Sequence, residues 1–475
     1  MRRMMKSGLF TLLGFVIALA TPMVAAAQVP DGPLDVDEAV RIALRQNYAY
    51  RQQEAIVAAA SGNRLNAIAG MLPFLNGSYT YNKSDGTTTL IDFPVIQDIT
   101  TDPPTPVLPL RDLDLSDERS SKAWGLSLSE RLSLPIWFTY RSAHSQVSWS
   151  NYGREAAAQQ LGFDIRSQFY LVLRAQDLLT VQQEDLRLAR DEERRINSMF
   201  ELGSVARVDV LKARVRVSDA EVTLIRQQNA VDIESSRLAT MLGFTPDTKL
   251  QLAGDLSAGI APLDSTAAAE EALRRPDLQQ ARAALSSASN RHKAALTSWA
   301  PSLFADFSYT NSTGDRGGDD LGRQVDPSTG NLITFPSPSQ SSTEFDGWSL
   351  RVGAEVNLDA LLNAGDYKTA GADKRQAEYV LEGLELAAQQ ELEEAILNLR
   401  ASLSSIDAAG RGVESAEEDL RLSQERYRQG LGTILELLEA QVNLTRARNI
   451  LVNALTGLKI SEAALDKARG APLPY

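Results

Sequence analysis

Apolar side chains return at every seventh position through Ile165, Val172, Leu179 and Leu186, and the same series stands 227 residues later as Leu392, Leu399, Ile406 and Val413. A second run, Val210, Val217, Leu224, Val231 and Leu238, is matched at that offset by Leu437, Leu444, Leu451, Leu458 and Leu465 without an insertion. Sustained heptads predict long supercoiled helices packed knob into hole. The companion seam positions of the first helix, Gln168, Ala175, Gln182 and Ala189, are small or polar. Such residues let backbones approach closely and suit a sheet of helices better than one thick core. Taken as one helix, residues 136–200 extend about 95 Å, far beyond the roughly 12-residue helix of a globular domain.

The starts of the two repeats agree as well: ALRQNYAYRQQ (43–53) is similar to ALRRPDLQQAR (272–282), and Asp35 and Glu38 have the spacing of a capping box. Pro73 and Pro301 then end a helix in each repeat. After each proline the apolar period changes from seven to two. Ala305, Phe307 and Tyr309 alternate with polar residues, as do Trp348, Leu350, Val352, Ala354 and Val356; in the first repeat Trp124, Leu126, Leu128, Leu132 and Leu134 do the same, with Glu130 the exception. These are strands with one apolar and one polar face, each of about ten residues, which is what a tilted strand needs to cross a bilayer. The aperiodic segments 84–121 and 312–345, rich in Pro, Gly, Ser, Thr and Asp, read as long loops at the far ends of two hairpins. The resulting organisation is a first repeat over 28–254, a linker over 255–264, a second repeat over 265–469 and a tail over 470–475.

Four such strands are fewer than the roughly eight of the smallest closed barrel, and an open sheet edge in lipid leaves unpaired backbone groups. The chain is therefore expected to oligomerise. Two copies make eight strands and three make twelve, and strand arithmetic does not choose between them. The rival architecture is a periplasmic coiled-coil scaffold whose hairpins are half-buried against a soluble core.

Composition narrows the setting. Arg2, Arg3 and Lys6 precede the apolar run LFTLLGFVIALA, and Ala25, Ala26 and Ala27 offer a small-residue cleavage site, so residues 1–27 read as a secretory signal peptide. No later segment approaches a membrane helix. With no cysteine there is no disulfide framework, thiolate metal site or acylated N-terminal cysteine. Removing the three basic residues takes the formal charge from −13 to −16, which argues against nucleic acid or anionic lipid as a main partner.

The two long helices of each repeat meet at a glycine. FELGSVARVDVLKARV (200–215) aligns with YRQGLGTILELLEAQV (427–442), placing Phe200 on Tyr427, Gly203 on Gly430, Asp209 on Glu436 and Ala213 on Ala440. Glycine permits the positive φ of a tight reversal and removes a side chain where another backbone approaches. Glu436 and Glu439, three apart, share a helix face and avoid the seam of Ile434, Leu437 and Gln441.

From LDVDEAVRIAL to LKISEAALDKA, the chain resembles the outer membrane efflux proteins, the TolC-like outer membrane factors; the proline-to-strand segments and YRQGLGTILELLEAQVNLTRARN carry the resemblance. It implies a homotrimer of mixed α and β structure, with a twelve-stranded outer membrane β-barrel continued by an α-helical coiled-coil tunnel across the periplasm. The implied function is that of a passive exit duct for efflux or type I secretion, working with a periplasmic adaptor (membrane fusion) protein and an inner-membrane pump. By the same resemblance Gly203, Gly430, Leu431 and Gly432 form the periplasmic tip where the adaptor docks. Glu436 and Glu439 become two stacked carboxylate rings at the pore constriction, and Asp209 and Tyr427 belong to a polar cluster holding the tip closed. Where the best-known members carry an arginine after the tip glycine this chain has Gly432, so one link of that cluster is missing; the residue-by-residue match does not supply Arg207, on the other repeat, as its substitute.

Catalytic and cofactor chemistry has no support. His144 and His292 stand far apart without ligand-spaced neighbours, no Gly-rich loop ends in Lys-Ser or Lys-Thr, and Met71, Met199 and Met241 are scattered.

Overall fold

The computed structural model describes residues 32–93, 111–256, 265–318, 323–325, 332–334, 341–359 and 364–473. The signal segment 1–27, most of the linker and the last two residues of the tail lie outside them. In chain order the elements are α1 (Val36–Gln46), α2 (Tyr48–Ala69), β1 (Phe74–Phe93), β2 (Arg111–Leu132), α3 (Leu134–Glu201), α4 (Arg207–Leu242), α5 (Ser265–Ala272) and α6 (Pro276–Leu296). There follow β3 (Ser302–Gly318), β4 (Arg323–Val325), β5 (Leu332–Thr334), β6 (Ser341–Glu355), α7 (Ala364–Arg428) and α8 (Ile434–Arg469). The duplication is visible in the lengths: α3 and α7 have 68 and 65 residues, and α4 and α8 have 36 each.

Two compact units are formed, and neither is a repeat. One collects Met1–Gln52, Ala157–Ala272 and Gln389–Tyr475; the other collects Gln53–Ala156 and Leu273–Ala388. Each repeat contributes to both.

The first unit is helical, and its seams are those the heptads mark. Ile165, Phe169, Val172, Leu238 and Leu242 build one core with Val40 of α1, and Leu392, Ile396, Leu399, Leu458 and Leu465 build another. Ala175 and Ala189 are buried as small seam residues. The polar seam positions are satisfied: Gln168 donates to the Glu234 carbonyl at 3.0 Å and Gln182 to Asn449 at 3.2 Å. A buried amide with a partner costs little and fixes the register of the helices, because a shifted register would leave it unpaired. Asp35 does stand at the N-cap of α1, but its side chain makes no capping bond, and Glu38 is instead engaged by Arg41. The spacing locates the helix start without forming the box.

The second unit holds an antiparallel sheet in the order β1-β2-β3-β6, with β4 and β5 as a separate small hairpin. Its register gathers the apolar positions on one face: Leu75 opposes Leu128, which opposes Phe307, which opposes Leu350; Leu126, Tyr309 and Trp348 make the next row. The neighbouring rows are polar, such as Asn76, Ser127, Ser308 and Ser349. Leu75, Leu126, Leu128, Trp348, Leu350 and Val352 are all exposed, so the apolar face is uncovered within the chain. From Leu132 to Trp124 this face rises about 20 Å once strand tilt is allowed for.

The strands are longer than their apolar alternation. They run 20, 22, 17 and 15 residues, and β1 pairs with β2 continuously as far as Leu90 opposite Leu113. Much of 84–121 and 312–345 is therefore ladder rather than loop. Period two disappears where both faces are polar, as at Ser84 and Asp85 opposite Arg119 and Glu118, while backbone pairing needs no apolar face. Leu134 is not a strand residue but the first of α3, where the following proline is tolerated because the first helical turn has no intrahelical acceptor for its missing N–H.

Candidate functional site

The glycine-marked reversals lie wholly in the helical unit, and both close by the same hydrogen bonds. In α7 the Gly430 N–H donates to the Tyr427 carbonyl at 3.0 Å and Leu431 N–H to the Arg426 carbonyl at 2.9 Å. In α3 Gly203 N–H donates to Phe200 and Ser204 N–H to Met199, at 2.9 and 2.8 Å. This pair of bonds is a Schellman cap, which requires a left-handed residue just past the helix. Gly203 and Gly430 supply it at φ 76° and 75°. A Cβ at either would meet nothing within 4 Å, so backbone conformation alone demands glycine.

Gly432 answers to a different constraint. Its φ is not in the left-handed region, yet a Cβ there would lie 3.2 Å from Arg426 Cβ, 3.2 Å from Glu436 Oε2 and 3.3 Å from the Tyr427 backbone nitrogen. Close approach, not a turn, crowds any side chain here, so its neighbours would have to give by a few tenths of an ångström. Just beyond, Thr433 caps α8, its hydroxyl accepting from the Glu436 N–H at 3.2 Å. Thr433 and Glu436 have the Ser/Thr-x-x-Glu spacing of an N-terminal helix signature, a signal legible in the sequence that the comparison of the two tips passed over.

Glu436 and Glu439 both project from the exposed face of α8, while Ile434, Leu437 and Gln441 are buried in the seam. Glu436 is shared with Arg426, whose guanidinium stands 3.7 Å from its carboxylate. Glu439 joins no ion pair among the described residues. Leu431 is 69% exposed at the second tip, and Leu202, unmarked by the sequence comparison, is 82% exposed at the first. Each tip thus carries a bare leucine beside its left-handed glycine.

Tyr427 and Asp209 come together, but not through a bond. Tyr427 is 6% exposed and packs with Ile196, Val210, Leu420, Ile434 and Leu437, whereas its repeat counterpart Phe200 is 42% exposed. The Tyr427 hydroxyl has no hydrogen-bond partner among the described residues. Burial, then the nearby carboxylates of Asp209 and Glu192, push its pKa up to about 12, against a smaller opposing effect of Arg195. Among the described residues no hydrogen bond joins this hydroxyl to the Asp209 carboxylate. Arg207 is exposed and joins no ion pair among the described residues. Two polar groups not foreseen, Glu192 and Asp185, join Gln441 in the seam. Glu192 is buried and held by Arg195 at 2.6 Å; Gln441 is buried with both amide atoms unpartnered; and Asp185 accepts from Arg216 and, at 2.6 Å, from Thr445.

Among the described residues no group of His, Cys, Asp and Glu is placed to hold a metal, and no helix is long and apolar enough to cross a membrane, which says nothing of a β-barrel.

Comparison with known proteins agrees with this architecture. The chain is 25% identical over 328 residues to the probable efflux pump outer membrane protein TtgC of Pseudomonas putida, covering 68% of this chain and 62% of that protein. It is 24% identical over 314 residues to the outer membrane protein TolC of Escherichia coli, covering 66% and 62%. It thus spans 62% of the length of both relatives. Among solved structures, CusC superposes with a TM-score of 0.72 at 18% identity, covering 92% of each chain. The open-state MtrE outer membrane channel of Neisseria gonorrhoeae gives 0.69 at 18% identity over 92% of this chain and 89% of its own. The profile of the outer membrane efflux protein family matches residues 39–244 and 268–471, one segment in each repeat, and the chain belongs to that family.

Proposed function

We propose that the chain is a passive exit duct of the outer membrane, three copies closing one twelve-stranded barrel. It works with a periplasmic adaptor protein and an inner-membrane pump that supplies the energy. The observation that carries this reading is the open sheet: four strands with a bare apolar face and two unpaired edges, β1 and β6. Such a sheet is stable in hydrocarbon only when closed, because each unpaired backbone group there costs several kcal/mol. Closure by copies of the same chain is supported on the helical side as well. Val208, Leu211, Val215, Val222 and Ile225 are exposed along α4 at coiled-coil spacing, uncovered by the other described residues. Three copies rather than two is the choice favoured by family membership.

In that assembly Glu436 and Glu439 form the acidic constriction, and Gly203, Gly430, Leu431 and Gly432 form the surface on which the adaptor docks. Asp209 and Tyr427 sit in the seam whose loosening opens the tip. Since the hydroxyl is unbonded, the closing element at Tyr427 is its packed ring. Cargo is selected by the pump, so the duct itself sets only charge and width.

The test is a planar bilayer recording of the purified full-length protein. The duct reading expects cation-preferring channels whose preference falls in Glu436→Gln/Glu439→Gln. A chain that never conducts is the outcome that the coiled-coil scaffold predicts, and unaltered ion selectivity in the double variant would remove the two carboxylates from the pore.

A further inference from the structure

Beneath the two central strands lies a cleft of about 380 Å³, lined by Leu132, Leu134, Ile136, Trp137 and Leu303, with Arg131 and Ser133 among its polar residues. That volume is within the range of sites that bury a small ligand. Its position ties it to the membrane. Leu132 opposes Leu303 across β2 and β3, and both lie on the same face as Leu128 and Phe307, so the cleft continues the exposed apolar surface. β2 and β3 are also the inner strands of the sheet, whereas another copy would pair at β1 and β6. On the duct reading proposed above, closure at β1 and β6 keeps this face of β2 and β3 toward lipid. Trp137 in the lining and Trp299, two residues before Pro301, are both exposed indoles at the helical end of the strands, the residue type that settles at the headgroup level.

We propose that this cleft binds one acyl chain of a glycerophospholipid from the periplasmic leaflet, an occupant distinct from any cargo of the duct. The Arg131 guanidinium is already engaged by the Glu355 carboxylate at 2.9 Å, so recognition falls on the chain and not on an anionic headgroup. Phosphatidylethanolamine and phosphatidylglycerol are expected to bind alike. A concave wall offers the chain more contact than the flat strand face around it.

Native mass spectrometry of the detergent-purified full-length protein tests this, after incubation with either phospholipid and removal of the micelle. One retained phospholipid per chain is expected. Ser133→Phe, which places a ring in the cleft, should lower retention about tenfold, the effect of roughly two lost methylene burials. Trp137→Ala, which removes a wall without adding bulk, should lower it as well if the first variant does not assemble. Channel recordings of the same samples establish that the duct is intact, so loss of lipid is distinguishable from loss of the barrel. Retention equal to wild type in both variants would reduce the lipid to an unspecific annulus, and a strong preference for phosphatidylglycerol would make this a headgroup site; either result overturns the proposal, as does the absence of retained phospholipid.

Discussion

Replacing Tyr427 by phenylalanine and by alanine separates a hydroxyl latch from a packed ring. The hydroxyl is buried without a partner, a condition that costs about 1–3 kcal/mol. Removing only that oxygen should leave stability unchanged or raise it by roughly 1 kcal/mol. A latch to a carboxylate would instead lose about 1.5–3 kcal/mol. Alanine also deletes the ring packed on Ile196, Leu420 and Leu437, and truncation of a buried aromatic costs about 3–5 kcal/mol. Alkaline titration gives a second, independent reading. The Tyr427 pKa is raised from 10.0 to about 12, which favours the neutral form in the folded state. Its contribution is fully present below the unfolded value of 10.0 and is lost as pH rises through about 12, amounting at most to roughly 3 kcal/mol. Phenylalanine has no such loss. Thermal unfolding of the detergent-solubilised protein, followed by helical circular dichroism at neutral and strongly alkaline pH, reads both effects, and bilayer recordings read the tip. Packing predicts wild-type conductance for Tyr427→Phe and larger or more frequent openings for Tyr427→Ala. If phenylalanine alone destabilises by more than about 1.5 kcal/mol, or opens the channel as far as alanine does, the hydroxyl is bonded in the assembly and the packed-ring account fails.

The other expectations concern the turn and its neighbours. Gly430→Ala forces an L residue into the left-handed region at a cost of about 1–2 kcal/mol. Hydrogen exchange at the Leu431 and Gly432 amides should accelerate by roughly 5–30-fold, with Gly430→Asn closer to wild type; equal effects would mean that φ is not the constraint. Gly432→Ala should disturb the Arg426 and Glu436 contact without that signature. Of the two carboxylates proposed at the constriction, Glu439→Gln should change ion selectivity more than Glu436→Gln, because Glu436 is shared with Arg426; the reverse order in reversal potentials refutes that assignment. Asp185 and Arg216 are 6% and 14% exposed, so Arg216→Ala, which strands a buried carboxylate, should cost about 3–5 kcal/mol. Asp185→Asn with Arg216→Met should restore most of it in the same melts.

What the sequence carried clearly were features repeated along one element. Heptads marked Ile165, Val172 and Leu238 as core because a coiled seam must present the same face every two turns, and each of these is buried. Alternation placed Leu128, Phe307 and Leu350 in one row for the analogous reason in a pleated strand. What it did not carry were relations between elements. Asp185 meets Arg216 and Thr445 at separations of 31 and 260 residues, and no local period records such a meeting. The outer parts of the hairpins were missed from the opposite cause: with both faces polar, Lys83 to Asp85 pair in register with Glu118 to Ser120 without any apolar alternation to mark the strand.

The duplication shows how far identical backbone design can diverge in use. Both tips place the left-handed glycine, the cap bonds and the restart of the next helix at equivalent positions, 227 residues apart. Phe200 nevertheless stays at the surface while Tyr427 enters the seam, because a chain that folds its two hairpins against each other has only one inner side for each. The second difference is Gly432, which aligns with Val205 of the first tip. A side chain at 432 would occupy the space between Arg426 and Glu436. Glycine lets that arginine come within 3.7 Å of the carboxylate, so positive charge reaches the proposed constriction from α7, before the turn, rather than from the residue after it. The missing arginine is thus compensated in position but not in kind: a contact between two half-exposed groups is weakened by solvent and salt, and it moderates Glu436 without locking one helix to another. On the function proposed above, closure then falls to the apolar seam around Tyr427, which a docking partner would displace by packing and which salt alone would not release.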